Sequence, residues 1–180
     1  MSLKSNFELM ADYNQRMNNG IFQVASQLGS CVLSDNRGTF FGSVMGTLNH
    51  ILVGDIIWLK RFSVHPERLK SLDYVLQIDM PKALDSLLYN DFKELRVKRN
   101  ELDNIIMAFT RELTNEVLSS TLCYSNTKGE LFNKNIGSLI QHLFNHQTHH
   151  RGQVSTLLNQ LGLDVGATDF LVCIKDEKKV

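Results

Sequence analysis

The segment IGSLIQHLFNHQTHHRGQVSTLLNQL, residues 136–161, combines a long helical pattern with most of the chain's six histidines. Its apolar residues recur at helical spacing, and Gly162 follows as a stop signal. At about 100° per residue, the apolar stripe is centred near ~110° when His142 is placed at zero. His150 then lies near ~80° and His146 near ~40°, on the inward side of the helix, whereas His142 and His149 lie at its margin.

The inward histidines, His146 and His150, are one helical turn apart, so their imidazoles stack on the same face. This spacing lets one helix offer two nitrogen ligands to a single metal ion, although hydrogen-bonded core histidines have the same pattern. The match to the H-E-x-x-H proteases fails because Gln147 replaces the glutamate at its position. The chain also lacks the E-x-x-H motif of carboxylate-bridged di-iron bundles.

A third ligand is predicted at His50, which interrupts an apolar stretch where an imidazole needs a polar partner. Gly46 and Gly54 flank it one turn away on either side, and each costs a helix about 1 kcal/mol relative to alanine. Their missing side chains predict a hollow beside His50, with close helix packing as the alternative. Together with His146 and His150, His50 indicates a three-histidine site with an open coordination position.

Three further helices are predicted upstream, over residues 6–28, 44–62 and 91–116, from apolar residues at helical spacing. Ser43 is a typical N-cap for the second of them, and Asp91 opens the third. The second is apolar nearly all round, as expected of a helix that is buried on several sides.

A small hairpin is predicted before the last helix, because "TLCY" alternates, "SNTKG" favours a turn and "ELF" returns. The tail "GATDFLVCI" is expected to pack back on the helices, and the terminal "KDEKKV" to be loose. The whole chain, residues 1–180, is therefore predicted to be one all-α domain. Its expected architecture is an antiparallel four-helix bundle with one long crossover and this hairpin.

Composition excludes several classes of function. Lys plus Arg and Asp plus Glu number 19 each, so the net charge is zero, which argues against a nucleic-acid partner. The N-terminal stretch has no long apolar run, so neither a secretory signal nor a membrane span is expected. The cysteines, Cys31, Cys123 and Cys173, lie far apart without C-x-x-C spacing, which favours a reducing cytoplasm.

Four further residues near the predicted ligands have two interpretations each. Asp55 is expected to pair with a buried cation or amide, with direct participation in the site as the alternative. Arg151 and Gln153 adjoin the ligands and either orient them or bind a carboxylate, or else pair at the surface or at an interface. Trp58 is interpreted as a core residue, with a substrate platform as the alternative.

The chain resembles the DinB/YfiT-like family of damage-inducible proteins, which is distinct from the DNA polymerase that shares the DinB name. The resemblance is carried by "SVMGTLNHILVGDIIWLKRF", "HLFNHQTHHRGQVSTLLNQLG", "YNQRMN" and "TDFL", and it spans nearly the whole chain. It implies a four-helix bundle, usually a homodimer, with one divalent metal ion held by His50, His146 and His150. Relatives of this fold include bacillithiol S-transferases and the mycothiol-dependent maleylpyruvate isomerase.

The function expected from these observations is a metal-dependent enzyme that activates a low-molecular-weight thiol, or water, for attack on a small electrophile. Zinc or nickel is the expected metal, one ion per chain, with iron or manganese as alternatives. The competing hypothesis is a non-enzymatic, metal-stabilised stress-response or ligand-binding bundle. The fourth coordination position distinguishes them, since a protein ligand there favours a structural metal.

Overall fold

A computed structural model describes residues 2–126 and 128–176. In chain order these residues form α1 (Leu3–Ala25), α2 (Ser30–Ser34), α3 (Val44–Phe62), a 3-10 helix (Lys70–Gln77), α4 (Phe92–Glu112), α5 (Asn115–Ser119), β1 (Thr121–Ser125), β2 (Leu131–Asn135), α6 (Ile136–Gln160) and a second 3-10 helix (Phe170–Cys173). The predicted hairpin is confirmed, because β1 and β2 pair antiparallel. The expectation that "KDEKKV" is loose falls largely on residues 177–180, which lie outside the described ranges.

Side-chain caps fix where α3 and α4 begin. The Ser43 hydroxyl accepts a hydrogen bond from the Gly46 amide, and the Asp91 carboxylate accepts from the amides of Lys93 and Glu94. Each cap satisfies amides that have no partner within the helix. Both predicted starts are confirmed, and α3 has the predicted bounds.

Three predicted helix boundaries were wrong. The first helix begins three residues early at Leu3, because the Ser2 hydroxyl accepts from the Ser5 amide, and it ends at Ala25 rather than residue 28. The third helix ends at Glu112 rather than residue 116. Leu113 leaves the helical conformation with ψ 140°, and the Thr114 hydroxyl caps the separate short helix α5.

The long helices α1, α3, α4 and α6 enclose the apolar core, and each of α4 and α6 contacts both α1 and α3. Stacked ring pairs join them: Phe7–Phe144, Phe22–Phe92 and Phe62–Phe109. The helical class is confirmed, while the arrangement as an antiparallel four-helix bundle stays a prediction that these contacts favour. The tail packs back as predicted, with Phe170 5.2 Å from the Tyr13 ring.

Within residues 2–126 and 128–176, no helix combines the length and apolar character needed to cross a bilayer.

Candidate metal centre

The three predicted ligands meet between α3 and α6. The Nε2 atom of His50 lies 3.1 Å from the Nε2 atom of His146 and 3.1 Å from that of His150. One ring nitrogen from each residue lies within 4.8 Å of the other two. His50 and His150 are buried and His146 is half-buried, so this cluster is largely shielded from water.

Hydrogen bonds to the far side of two rings fix which nitrogen faces the centre of the cluster. The Nδ1 atom of His50 donates to the carbonyl of Leu84 at 2.7 Å, and that of His150 donates to the side-chain oxygen of Gln153 at 2.8 Å. A neutral imidazole carries one proton, so each of these rings turns an unprotonated Nε2 toward the cluster. Two nitrogen lone pairs facing each other at 3.1 Å repel unless they share a cation.

The donor set fits a divalent ion. Zinc binds imidazole nitrogen at about 2.0–2.1 Å, so tetrahedral ligands are roughly 3.4 Å apart, close to the spacing of these Nε2 atoms. The Nδ1 atom of His146 is buried and has no hydrogen-bond partner within the described ranges. Its Nε2 atom, 3.1 Å from that of His50, is the ring nitrogen that faces the cluster. The cluster could hold a metal ion.

Burial keeps these imidazoles neutral, which is the form that binds metal. Desolvation lowers the pKa of His146 to about 3, with the neighbouring imidazoles adding to the shift. Burial also lowers the pKa values of His50 and His150 from 6.5, although the hydrogen bonds that these rings donate to Leu84 and Gln153 oppose the shift.

The metal-free protein should lose stability in mild acid through these histidines. A depressed pKa means that the unfolded chain binds more protons than the folded chain between about pH 3 and 6.5 for His146, so acid favours unfolding. Urea unfolding of the metal-free protein from pH 7.5 to 5 should therefore show a steeper loss of stability for the wild type than for His146→Gln. Identical pH slopes for the two proteins would contradict a buried, neutral His146.

An aromatic side chain closes one side of the cluster and a cavity opens on another. The Phe41 ring stacks on His50 with centroids 3.7 Å apart and meets His150 edge-on at 5.5 Å. The cavity has a volume of about 280 Å³. Its lining includes His50, Trp58, Arg61, Leu84, His142 and His146. In the part of the chain that the structure describes, no fourth His, Cys, Asp or Glu joins the cluster, and the cavity borders two of its three histidines.

The cavity beside His50 is lined by Gly54, in agreement with the predicted hollow. The two glycines of α3 also make room for groups outside that helix. A Cβ at Gly54 would lie 2.6 Å from Cε1 of His146, so this glycine makes room for the imidazole across the interface. A Cβ at Gly46 would lie 2.0 Å from the carbonyl oxygen of Phe41. Gly46 therefore admits the loop whose ring covers His50.

Gly54→Ala should weaken metal binding without unfolding the protein. The new methyl group must displace the His146 ring, while alanine favours helix over glycine by about 1 kcal/mol. We expect a loss of zinc affinity of at least the roughly 10- to 100-fold seen when a ligand's support is disturbed. The matched control is Gly152→Ala in α6, where a Cβ meets nothing within 4 Å. Equal zinc affinities of the two variants, measured by competition with a chelating dye, would refute the role assigned to Gly54.

The remaining predicted residues lie beside the histidine cluster, at the wall of the cavity or in the core behind the cluster. Gln153 orients His150, and its amide nitrogen lies 3.4 Å from Nε2 of His149, which is exposed. His142 is exposed too and lies edge-on to Trp58, with ring centroids 5.1 Å apart. Trp58 is half-buried at the cavity wall.

Asp55 and Arg151 belong to a buried polar network behind the cluster. Asp55 accepts from the Gln147 amide and pairs with Arg99, which confirms its pairing with a buried cation and amide. Arg151 is 5% exposed and donates to Asn14 and Gln147, so the interpretation as a surface residue was wrong. Gln147, next to His146, thus ties the ligand-bearing turn of α6 to α3 and α1.

Two contributors to the site escaped the sequence reasoning. Phe41 lies in a loop between helices, and its only signal in the sequence was that it forms an aromatic pair with Phe40 shortly before the cap at Ser43. The Leu84 carbonyl is a backbone group in the long connection, and no side-chain pattern marks it.

The fold and the site define a mostly helical protein whose buried histidine cluster could hold a metal ion. The model of the DinB family matches residues 1–179, and the chain belongs to that family. The chain is also 24% identical over 172 residues to Protein DinB of Bacillus subtilis (strain 168), an alignment that covers 93% of this chain and 94% of that protein. The resemblance seen in the sequence is thereby confirmed.

Proposed function

We propose that this protein is a metal-dependent enzyme in which His50, His146 and His150 hold one divalent ion, zinc or nickel foremost. The observation that carries the proposal is the convergence of three imidazole nitrogens beside a cavity, without a fourth side-chain ligand in the described ranges. A structural zinc site has all four positions filled by protein, whereas a catalytic site leaves one for substrate or water.

The surrounding residues prepare the site in three ways. Leu84 and Gln153 hold His50 and His150 in the tautomer that presents Nε2 to the ion. Phe41 covers His50 and excludes water from that side of the cluster. The cavity between Trp58 and His142 leaves room for a small molecule on the open side.

The reaction that we propose is transfer of a low-molecular-weight thiol to a small electrophile, with attack by water as the alternative. A divalent ion held by three imidazoles lowers the pKa of a bound thiol or water, which supplies a nucleophile near neutral pH. The thiol is the favoured nucleophile because enzymes related to this fold use low-molecular-weight thiols. The reducing cytoplasm, proposed from the separated cysteines, is the compartment in which such thiols persist.

Metal should bind stoichiometrically and stabilise the protein. An ion present at 100 times its dissociation constant, and binding the folded state alone, adds about 2.7 kcal/mol to the free energy of unfolding. We therefore expect about one ion per chain by elemental analysis, a melting temperature that rises with zinc or nickel, and a fall on chelation. A protein that takes up no metal after incubation with either ion would overturn the proposal.

The catalytic part of the proposal needs a separate test. Metal-loaded protein should accelerate conjugation of small thiols to an electrophile such as monochlorobimane, and chelation should remove the acceleration. A loaded, stabilised protein that accelerates neither thiol transfer nor hydrolysis across a broad screen would support the non-enzymatic hypothesis instead.

We also propose an antiparallel four-helix bundle that assembles as a homodimer. The dimer rests on the family, and exposed large apolar side chains agree with it: Phe40 is 90% exposed and Leu131 77%. The apolar helix α3 gives no support, because its apolar side chains are buried within one chain. Light scattering that gives a monomer mass at every concentration would refute the dimer.

A further inference from the structure

Arg61 occupies an unusual position at the wall of the cavity beside the histidine cluster. It lies in the last turn of α3, and its guanidinium contacts two aromatic rings, 4.7 Å from the centroid of Trp58 and 4.9 Å from that of Tyr124, which also meet each other edge-on. Contact with two rings restricts the position of a guanidinium and leaves its N–H groups able to donate.

No acidic side chain neutralises Arg61 within residues 2–126 and 128–176. The exposed Arg37 and Arg68 each pair with an aspartate, and the buried Arg99 pairs with two. Arg61 forms no such pair there. Partial burial lowers the pKa of its guanidinium, and Tyr124 is the titratable neighbour that opposes the shift. A partly desolvated cation without a counter-charge is costly, and a bound anion would offset that cost.

The electrostatic field of Arg61 reaches toward the histidine cluster. Burial lowers the pKa of His142, and the positive charges of Lys134 and Arg61 lower it further. His142 lies between the histidine cluster and the aromatic rings at Arg61. Its ring centroid is 5.1 Å from that of Trp58 and 6.1 Å from that of His146. A continuous wall of rings therefore runs from the cluster to the guanidinium.

A second cavity, of about 390 Å³, adjoins the first across Arg61 and is lined by Met80, Pro81 and Tyr124 among others. Lys60 also lines it, but its ammonium donates to the backbone carbonyls of Val75, Leu76 and Ile78. Arg61 is thus the cation that is available to a ligand at the junction of the two cavities.

We propose that Arg61 binds a carboxylate or phosphate group of a small anionic substrate whose reactive end lies at His50, His146 and His150. The substrate class is an anionic thiol or an anionic electrophile. The placement of the reactive end at the histidine cluster rests on the proposed function, whereas the anion subsite at Arg61 does not. Guanidinium binds either oxyanion through paired N–H donors, with Trp58 and Tyr124 holding it in place.

The anion subsite can be tested without metal, because Trp58 is the one tryptophan of the chain and stacks on Arg61. Metal-free protein would be titrated with succinate, with inorganic phosphate and with the uncharged 1,4-butanediol at constant ionic strength, while Trp58 fluorescence is followed. We expect saturable changes with at least one anion and none with the diol. Arg61→Gln should weaken anion binding roughly 10- to 100-fold, as loss of a charge-assisted hydrogen bond does.

Two variants control this titration. Arg111→Gln removes an exposed arginine from the last turn of α4 and should bind anions like the wild type. Arg61→Lys keeps the charge without the paired donors, so it should bind the anions more tightly than Arg61→Gln does. It also shows whether position 61 tolerates substitution. Anion affinities that are equal in the wild type and both Arg61 variants, or no saturable change with either anion, would overturn the proposal.

The link to the histidine cluster is tested with cobalt-loaded protein, in which thiolate binding produces a charge-transfer absorption. 3-Mercaptopropionate should bind at least about 10-fold more tightly than the neutral 3-mercapto-1-propanol, and Arg61→Gln should remove that difference. Two thiols that bind equally well to the wild type would overturn the proposal while leaving the proposed function intact. If neither cobalt nor thiol binds, the proposed function fails, and the metal-free titration still decides the anion subsite.

Discussion

Alanine at position 50, 146 or 150 is expected to abolish tight binding of zinc or nickel, whereas His149→Ala is expected to retain the metal. The Nε2 atoms of His50, His146 and His150 converge, and removal of one leaves two ligands that hold an ion weakly. The loss should therefore exceed the roughly 10- to 100-fold typical of changes outside the ligand set.

His149 is the informative control because it is adjacent to His150 in sequence. Its side chain is exposed, and its Nε2 lies near the Gln153 amide rather than in the cluster. A smaller effect, within about 100-fold, is expected from His149→Ala, since Gln153 also orients His150. Side-by-side titration of the two alanine variants with zinc gives the comparison, with circular dichroism to confirm that both are folded. Metal retained by the His150 variant and lost by the His149 variant would show that the ligand assignment is wrong.

The histidine cluster could be predicted because its signals are local. The period of an α-helix, read over residues 136–161, placed His146 and His150 on the inward face and His149 at the rim. His50 was identified by a conflict, an imidazole inside an apolar helix, which implies a partner that the sequence does not name. Capping residues such as Ser43 and Asp91 are equally local, which is why the starts of α3 and α4 were correct.

The parts that failed depend on how the chain folds over longer distances. The path of the loop before Ser43 decides that Phe41 covers His50, and no periodicity constrains that path. Gly54 was correctly identified as unusual, but its neighbour is His146 on another helix rather than His50 on its own. The end of α4 was missed because Thr114 caps a new helix directly after Leu113, and the apolar spacing continues across the break.

The largest feature that the sequence did not predict is the buried polar network as a whole. Asp55 was expected to find a buried partner, but its partners on α4 and α6 lie far away along the chain. The network contains two arginines, two aspartates and three side-chain amides: Arg99, Arg151, Asp55, Asp103, Asn14, Asn18 and Gln147. It links α1, α3, α4 and α6 at the level of the ligand-bearing turn, so its integrity should matter for the whole protein.

Arg99→Met is expected to lower the free energy of unfolding by about 3–5 kcal/mol at neutral pH, the cost of breaking a buried ion pair from one side. Arg99 is 2% exposed, pairs with Asp55 and lies 3.0 Å from Asp103. Methionine fills a similar space but leaves two buried carboxylates without their cation. Arg111→Met, at an exposed site on the same helix, should change stability by less than about 0.5 kcal/mol.

The pH dependence of this deficit separates lost charge from lost packing. Burial raises the pKa of Asp55 to about 6 even with Arg99 opposing the shift, and burial also raises the pKa of Asp103. Without Arg99 both pKa values should rise further, so the folded variant binds protons that the unfolded chain, with ordinary carboxyl pKa values, does not. Acid then favours the folded variant, and its deficit relative to the wild type should shrink as the pH falls from 7 to 5. Urea unfolding of both proteins across this range measures the difference. A deficit that stays constant with pH would mean that methionine fails through packing alone, and that the carboxylates do not depend on Arg99 for their charge balance.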